Sequence, residues 1–141
     1  MIYKTRNWEK RLFASVRAAR TQPFQWGVND CALGTANHVL AFTNVDLAAD
    51  YRGKYRTLAG ARRICGSDAR AFLAFVDRIF TEHGMWQVDV KFAQIGDVTF
   101  YEKTGFSCVA MCVGLISVAP GKDGLQHLPT KEALCAWRIP L

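Results

Sequence analysis

The chain has 141 residues, 50% of them hydrophobic and 12% aromatic, and its 18 basic and 12 acidic residues leave a formal charge of +6. That balance excludes a disordered chain, and a chain of this size buries roughly two thirds of its unfolded surface, enough for one core across residues 1–141. The longest apolar run, Cys108 to Val113 with Leu115 and Ile116, is too short to cross a bilayer, and five cysteines without a CxxC pair argue against a disulfide framework or a metal site.

Trp8, Leu12, Phe13, Val16 and Ala19 recur at spacings of three and four, which predicts a helix over about Asn7 to Arg20 with Asn7 as its cap. Gln22-Pro-Phe24 breaks it. Trp26-Gly-Val-Asn-Asp-Cys31 reads as a turn into a second helix, capped by Asn29 or Asp30 and apolar over much of its circumference, hence central. Asn44 to Thr57 reads as an ordered loop, and Thr57 or its neighbour opens a short third helix ending at Gly66. Ser67 or Asp68 caps a fourth helix, with Phe72, Phe75, Val76 and Ile79 as its stripe and His83-Gly84 as its end.

Beyond Gly84 the period changes to two. Val88, Val90, Val98, Phe100, Val109, Met111 and Val113 alternate as strands do, punctuated by Gly96-Asp97, Gly105, Gly114, Gly121 and Gly124. Helices first and strands second predict an α+β domain in which an antiparallel meander or small barrel packs on the Cys31 helix. The basic residues are spread along the first helix (Arg6, Lys10, Arg11, Arg17, Arg20) and the middle of the chain (Arg52, Lys54, Arg56, Arg62, Arg63). They read as solvated faces rather than a nucleic-acid footprint, and an acidic protein partner stays open.

A thiol on the first turn of a helix feels unpaired backbone N–H groups and the positive end of the dipole, both of which favour thiolate. Cys31 is therefore the candidate nucleophile. A cysteine nucleophile also needs a base, usually an imidazole held by a third polar group. The histidines are His38, His83 and His127. His38 lies two turns along the Cys31 helix, and His83 closes the fourth helix, where an imidazole suits the dipole. Asp30 reads as the helix cap, and Trp26 and Gly27 set the turn. Tyr51, Arg52, Tyr55 and Arg56 form either a recognition rim with Trp26 and Asp30 or a loop folded over the core.

Phe24-Gln-Trp-Gly-Val-Asn-Asp-Cys31, Tyr51-Arg-Gly-Lys-Tyr-Arg-Thr57, Ile95-Gly-Asp-Val98, Cys108-Val-Ala-Met-Cys-Val-Gly114 and Ala136-Trp-Arg-Ile139 follow one another in an ordered set. Together they resemble a small family of phage and prophage proteins related to the NlpC/P60 superfamily of papain-like cysteine peptidases. The resemblance implies an NlpC/P60-type fold with the nucleophile at Cys31. It implies a histidine opening a His-Val-Gly-Ile-Tyr-x-Gly strand, a polar residue on the next strand, and the peptide stem of peptidoglycan as substrate. Aligned on that strand, Cys108 stands where the general base belongs, and thiol is a poor proton shuttle near neutral pH. His127, expected on the following strand, is the candidate displaced base, and Cys31 and Cys108 are expected to face each other across the site.

Two functions follow. In the first the protein is a structural component of a phage tail tip or baseplate, or a tail assembly protein, that has lost peptidase activity. Its partners are hub, tail-tip or fibre proteins, and it is made in the bacterial host cytoplasm, since the N-terminus lacks the pattern of a secretory signal. In the second it is a peptidoglycan endopeptidase using Cys31 with His127. No cofactor is called for by either.

Overall fold

The computed structural model describes residues 1–141 and shows an α+β fold. Four helices come first, α1 (Trp8–Ala19), α2 (Cys31–Thr43), α3 (Leu58–Cys65) and α4 (Ala69–Glu82). Six strands follow, β1 (Trp86–Val88), β2 (Val98–Lys103), β3 (Phe106–Cys112), β4 (Ile116–Gly121), β5 (Gly124–Pro129) and β6 (Cys135–Arg138). No helix is long and apolar enough to cross a membrane.

Three helices start where a side chain close in sequence satisfies their first N–H groups. Asp30, Thr57 and Asp68 each accept from the backbone N–H three residues on, at Leu33, Gly60 and Ala71. α1 departs from expectation. Asn7 precedes it in the left-handed region with φ 62° and makes no side-chain cap bond, so the helix is held by packing instead. Leu12 is its fully buried residue, Trp8 packs on Phe42 of α2 at 5.7 Å between ring centroids, and Phe13 is exposed.

The strands form one open antiparallel sheet in the order β1-β6-β2-β3-β4-β5. The expected meander is present as β2 to β5, but the sheet does not close into a barrel. β6 returns across it to pair with β2, with Val98 opposite Trp137, and β1 adds outside β6. Val90, expected in a strand, lies in a 3₁₀ turn (Val90–Phe92) whose cap is Asp89.

α2 is the central element, as its apolar circumference requires: Ala32, Leu33, Ala36, Val39 and Phe42 are all buried. It lies close enough on the sheet that a Cβ on Gly34 would stand 2.6 Å from Pro120 Cγ of β4. Val98, Phe100, Val109, Met111, Val118 and Trp137 complete the main core with it. Tyr101, Cys108, Ala110, Ala119 and Leu128 form a second, smaller cluster, and Cys31 packs against both.

Candidate active site

The Phe24–Asp30 segment is a tight turn closed by a bridge between Gln25 and Asn29. Asn29 does not cap α2. It turns back to donate to the Gln22 and Pro23 carbonyls, leaving Asp30 as the cap. The Asp30 carboxylate is buried and saturated by neutral donors. Leu33 N–H reaches Oδ1 at 3.0 Å, while Gly27 N–H at 3.0 Å and the Tyr55 hydroxyl at 2.5 Å reach Oδ2. Burial and the Asp30 bond raise the Tyr55 phenol, so it stays protonated and donates. Gly27 has φ 77°, and a side chain there would collide with the Tyr55 carbonyl oxygen, so the turn and the Tyr55 loop can close only over glycine.

This knot fixes the head of α2, and Cys31 follows it directly. Cys31 is half-buried and lines a groove of about 850 Å³. One wall is α3 with the turn after it (Leu58, Arg62, Cys65), another the start of α4 (Asp68, Phe72), and the third the β2–β3 hairpin from Glu102 to Ser107. Trp26, stacked edge-on against Phe24 at 4.7 Å, stands at the mouth.

Cys31 is held below the ordinary thiol range, first by the neighbouring Cys108 thiol and then by the Val109 and Ala32 backbone N–H groups, although the Cys108 Sγ donates to the Val109 carbonyl at 3.2 Å. Burial and the Asp30 charge oppose them. Cys108 moves the other way, raised well above the ordinary range first by the neighbouring Cys31 and then by burial. The two thiols thus share their protons unequally, with thiolate favoured on the helix side. Cys65 lines the same groove, but burial pushes it up to about 12. The remaining thiols, Cys112 and Cys135, lie outside the groove, and all five cysteines are free.

The sequence-predicted site residues divide sharply. Cys31, Cys108, Trp26, Asp30 and Tyr55 come together around the head of α2. His127 does not. Gly114 and Gly121 read as punctuation between strands, yet Ile116–Gly121 is itself a strand, so β4 rather than β5 follows the Cys108 strand. His127 is an exposed residue of the edge strand, paired opposite Val118. Its neighbour Leu128 is the β5 residue that packs with Cys108. No histidine lines the groove.

His38 is buried between α2 and α1, its Nδ1 2.8 Å from Ser15 Oγ, and burial lowers it to about 4. His83 binds the Ile79 carbonyl at the end of α4. Of the Tyr51-to-Arg56 stretch, Tyr55 lines the groove beside Trp26 and Asp30, while Tyr51, Arg52 and Arg56 do not. Tyr51 is buried edge-on against Phe75, and Arg52 makes a bidentate pair with Asp46. Arg56 is exposed but outside the groove. Arg62, Lys103 and the hairpin tip are groove residues that sequence reasoning did not single out, because their pattern carries only solvated charge.

A second buried carboxylate joins two further blocks of the resemblance. Asp97 accepts from Gln94 N–H and from Arg138 Nε and Nη2 at 3.1 and 2.9 Å, binding the turn before β2 to the end of β6. Chemically, then, the head of α2 offers a thiol more acidic than usual next to one that is less acidic than usual. It lacks an imidazole to move protons to and from a leaving group at neutral pH.

Residues 3–139 match a family described as a domain of unknown function, DUF6950, and the chain belongs to that family. No curated protein matches it.

Proposed function

We propose that this member of the DUF6950 family is a tail-tip, baseplate or tail assembly protein of a phage, built on a degenerate NlpC/P60-type fold that no longer hydrolyses peptides. The observation that carries the loss of activity is that Cys31 packs on the cluster holding Cys108 and lines a groove without histidine. A peptidase must protonate the departing amine. Cys108, held protonated well above the ordinary thiol range, exchanges its proton poorly near pH 7. The tail assignment rests on the ordered sequence blocks that resemble phage and prophage proteins. Two of those blocks meet in the Asp97–Arg138 pair and two more in the Asp30–Tyr55 bond, so the resemblance follows residues that hold this fold together.

Peptidoglycan stem peptides incubated with the purified protein should stay intact. Cleavage lost in Cys31→Ala would overturn the inactive reading and restore the endopeptidase, with a base other than His127. For the tail assignment, the chain should be recovered in purified virions or with hub or fibre proteins from a phage lysate. Its absence from both would remove that assignment.

A further inference from the structure

We propose that Cys31 and Cys108 form a dithiol–disulfide couple that exchanges with low-molecular-weight disulfides of the glutathione type entering the groove. The proposal concerns the same groove but does not depend on the tail assignment.

Three features coincide here. Cys31 is the first residue of a 13-residue helix, in the field of its N-terminal N–H groups. It opens onto a groove of about 850 Å³, large enough for a small peptide disulfide. Its side chain packs on the cluster that holds Cys108, a second thiol on a strand of a different layer, so a resolving group is at hand. Cys65, the other thiol in the groove, stays protonated and has no such partner.

The exchange balances without any further reagent. The Cys31 thiolate attacks one sulfur of the small disulfide, whose S–S bond breaks, and the first small thiolate leaves and takes a proton. With the Cys31 charge gone, the main cause holding the Cys108 proton is removed, and Cys108 gives it up and attacks the Cys31 sulfur. The Cys31–Cys108 bond forms, and the second small thiol leaves carrying that proton. Two protein thiols are oxidised and one small disulfide is reduced to two thiols. Excess small thiol reverses both steps. Oxidation would tie the head of α2 to β3.

The test uses the full chain with glutathione disulfide at pH 7, acid quenching, alkylation and peptide mass mapping. Wild type should lose two free thiols and yield a Cys31–Cys108 linked peptide. Cys108→Ser should stop at glutathione attached to Cys31, yet alkylate at Cys31 as fast as wild type, because serine still donates the hydrogen bond. Cys108→Ala should also stop there and alkylate at Cys31 about threefold more slowly, as expected if the lost donor is worth one pKa unit and the less acidic thiol gives the better nucleophile. Wild-type circular dichroism in both variants separates these effects from misfolding, and the Ser variant alone suffices if the Ala variant does not fold. A stable mixed disulfide on wild-type Cys31, a Cys31–Cys65 link, or a Cys31 that does not react would each overturn the couple. None of these results bears on peptide cleavage or virion association, so the two proposals fail separately.

Discussion

Asp30 and Asp97 are two buried carboxylates in nearly the same local setting, with opposite electrostatic consequences. Each accepts from the backbone N–H three residues before it, Gly27 for Asp30 and Gln94 for Asp97. Asp97 is then neutralised by the Arg138 guanidinium, which also donates to the Phe92 carbonyl. Asp30 receives only neutral donors, so its charge reaches its surroundings: it helps raise Tyr51, Tyr55 and Cys65 and opposes the lowering of Cys31. One carboxylate closes a structural joint. The other leaves an unneutralised charge beside a reactive sulfur, and the Cys108 donor is what lets Cys31 lean toward thiolate in spite of it.

The largest effect should come from breaking the closed joint. Arg138→Ala leaves Asp97 as a buried charge without its cation and should cost about 3–5 kcal/mol, read from the denaturant midpoint. A loss below about 1 kcal/mol, the range of a solvated pair, would show that water replaces the guanidinium and that the two carboxylates differ less than their partners suggest.

The next effect comes from a group outside both joints. His38 in the folded protein titrates near 4, below its ordinary 6.5, because its burial disfavours the cation. Below pH 6.5 the unfolded chain therefore binds a proton that the folded chain refuses. Stability should fall as pH drops from 6.5 to 4 and level off below, by at most about 3 kcal/mol. His38→Gln should flatten that slope. An unchanged slope would move the acid sensitivity to the carboxylates.

Asp30→Asn keeps one acceptor for Leu33 but turns an amide group toward Gly27 N–H, and should cost about 2 kcal/mol. It should also make Cys31 more acidic, shifting its alkylation profile to lower pH, whereas Asp97→Asn should leave that profile in place. If both substitutions shift it equally, the contrast between the sites fails. The smallest effect is Tyr55→Phe, which removes one donor from Asp30 and should cost about 1 kcal/mol in thermal or chemical unfolding.

Much of the helical half was legible in the sequence because helix starts are local. Asp30, Thr57 and Asp68 satisfy N–H groups three residues away, and a capping residue before an apolar stripe carries that information by itself. Asn7 misled because a left-handed residue can precede a helix without capping it. In the strand half the alternation of Val98 to Phe100 and of Val109 to Met111 was plain. Ile116–Gly121 was not, since it is a short segment ending on Gly121, which reads as punctuation but pairs with Gly124 at the end of a hairpin. That one missed strand is why His127 was expected beside the site.

The sequence by itself determined that a cysteine opens a buried, apolar helix and that an α half precedes a β half. Both follow from spacing within a few residues. Only the tertiary structure decided that β6 inserts between β1 and β2, bringing Arg138 to Asp97, and it sets Cys31 on the cluster that holds Cys108, which the family resemblance alone had implied. Those partners stand 41 and 77 positions apart, and no local rule links them. Packing of the whole sheet against α2 sets which side chains share a low-dielectric space, and with it the difference between a thiol that only packs and one that reacts.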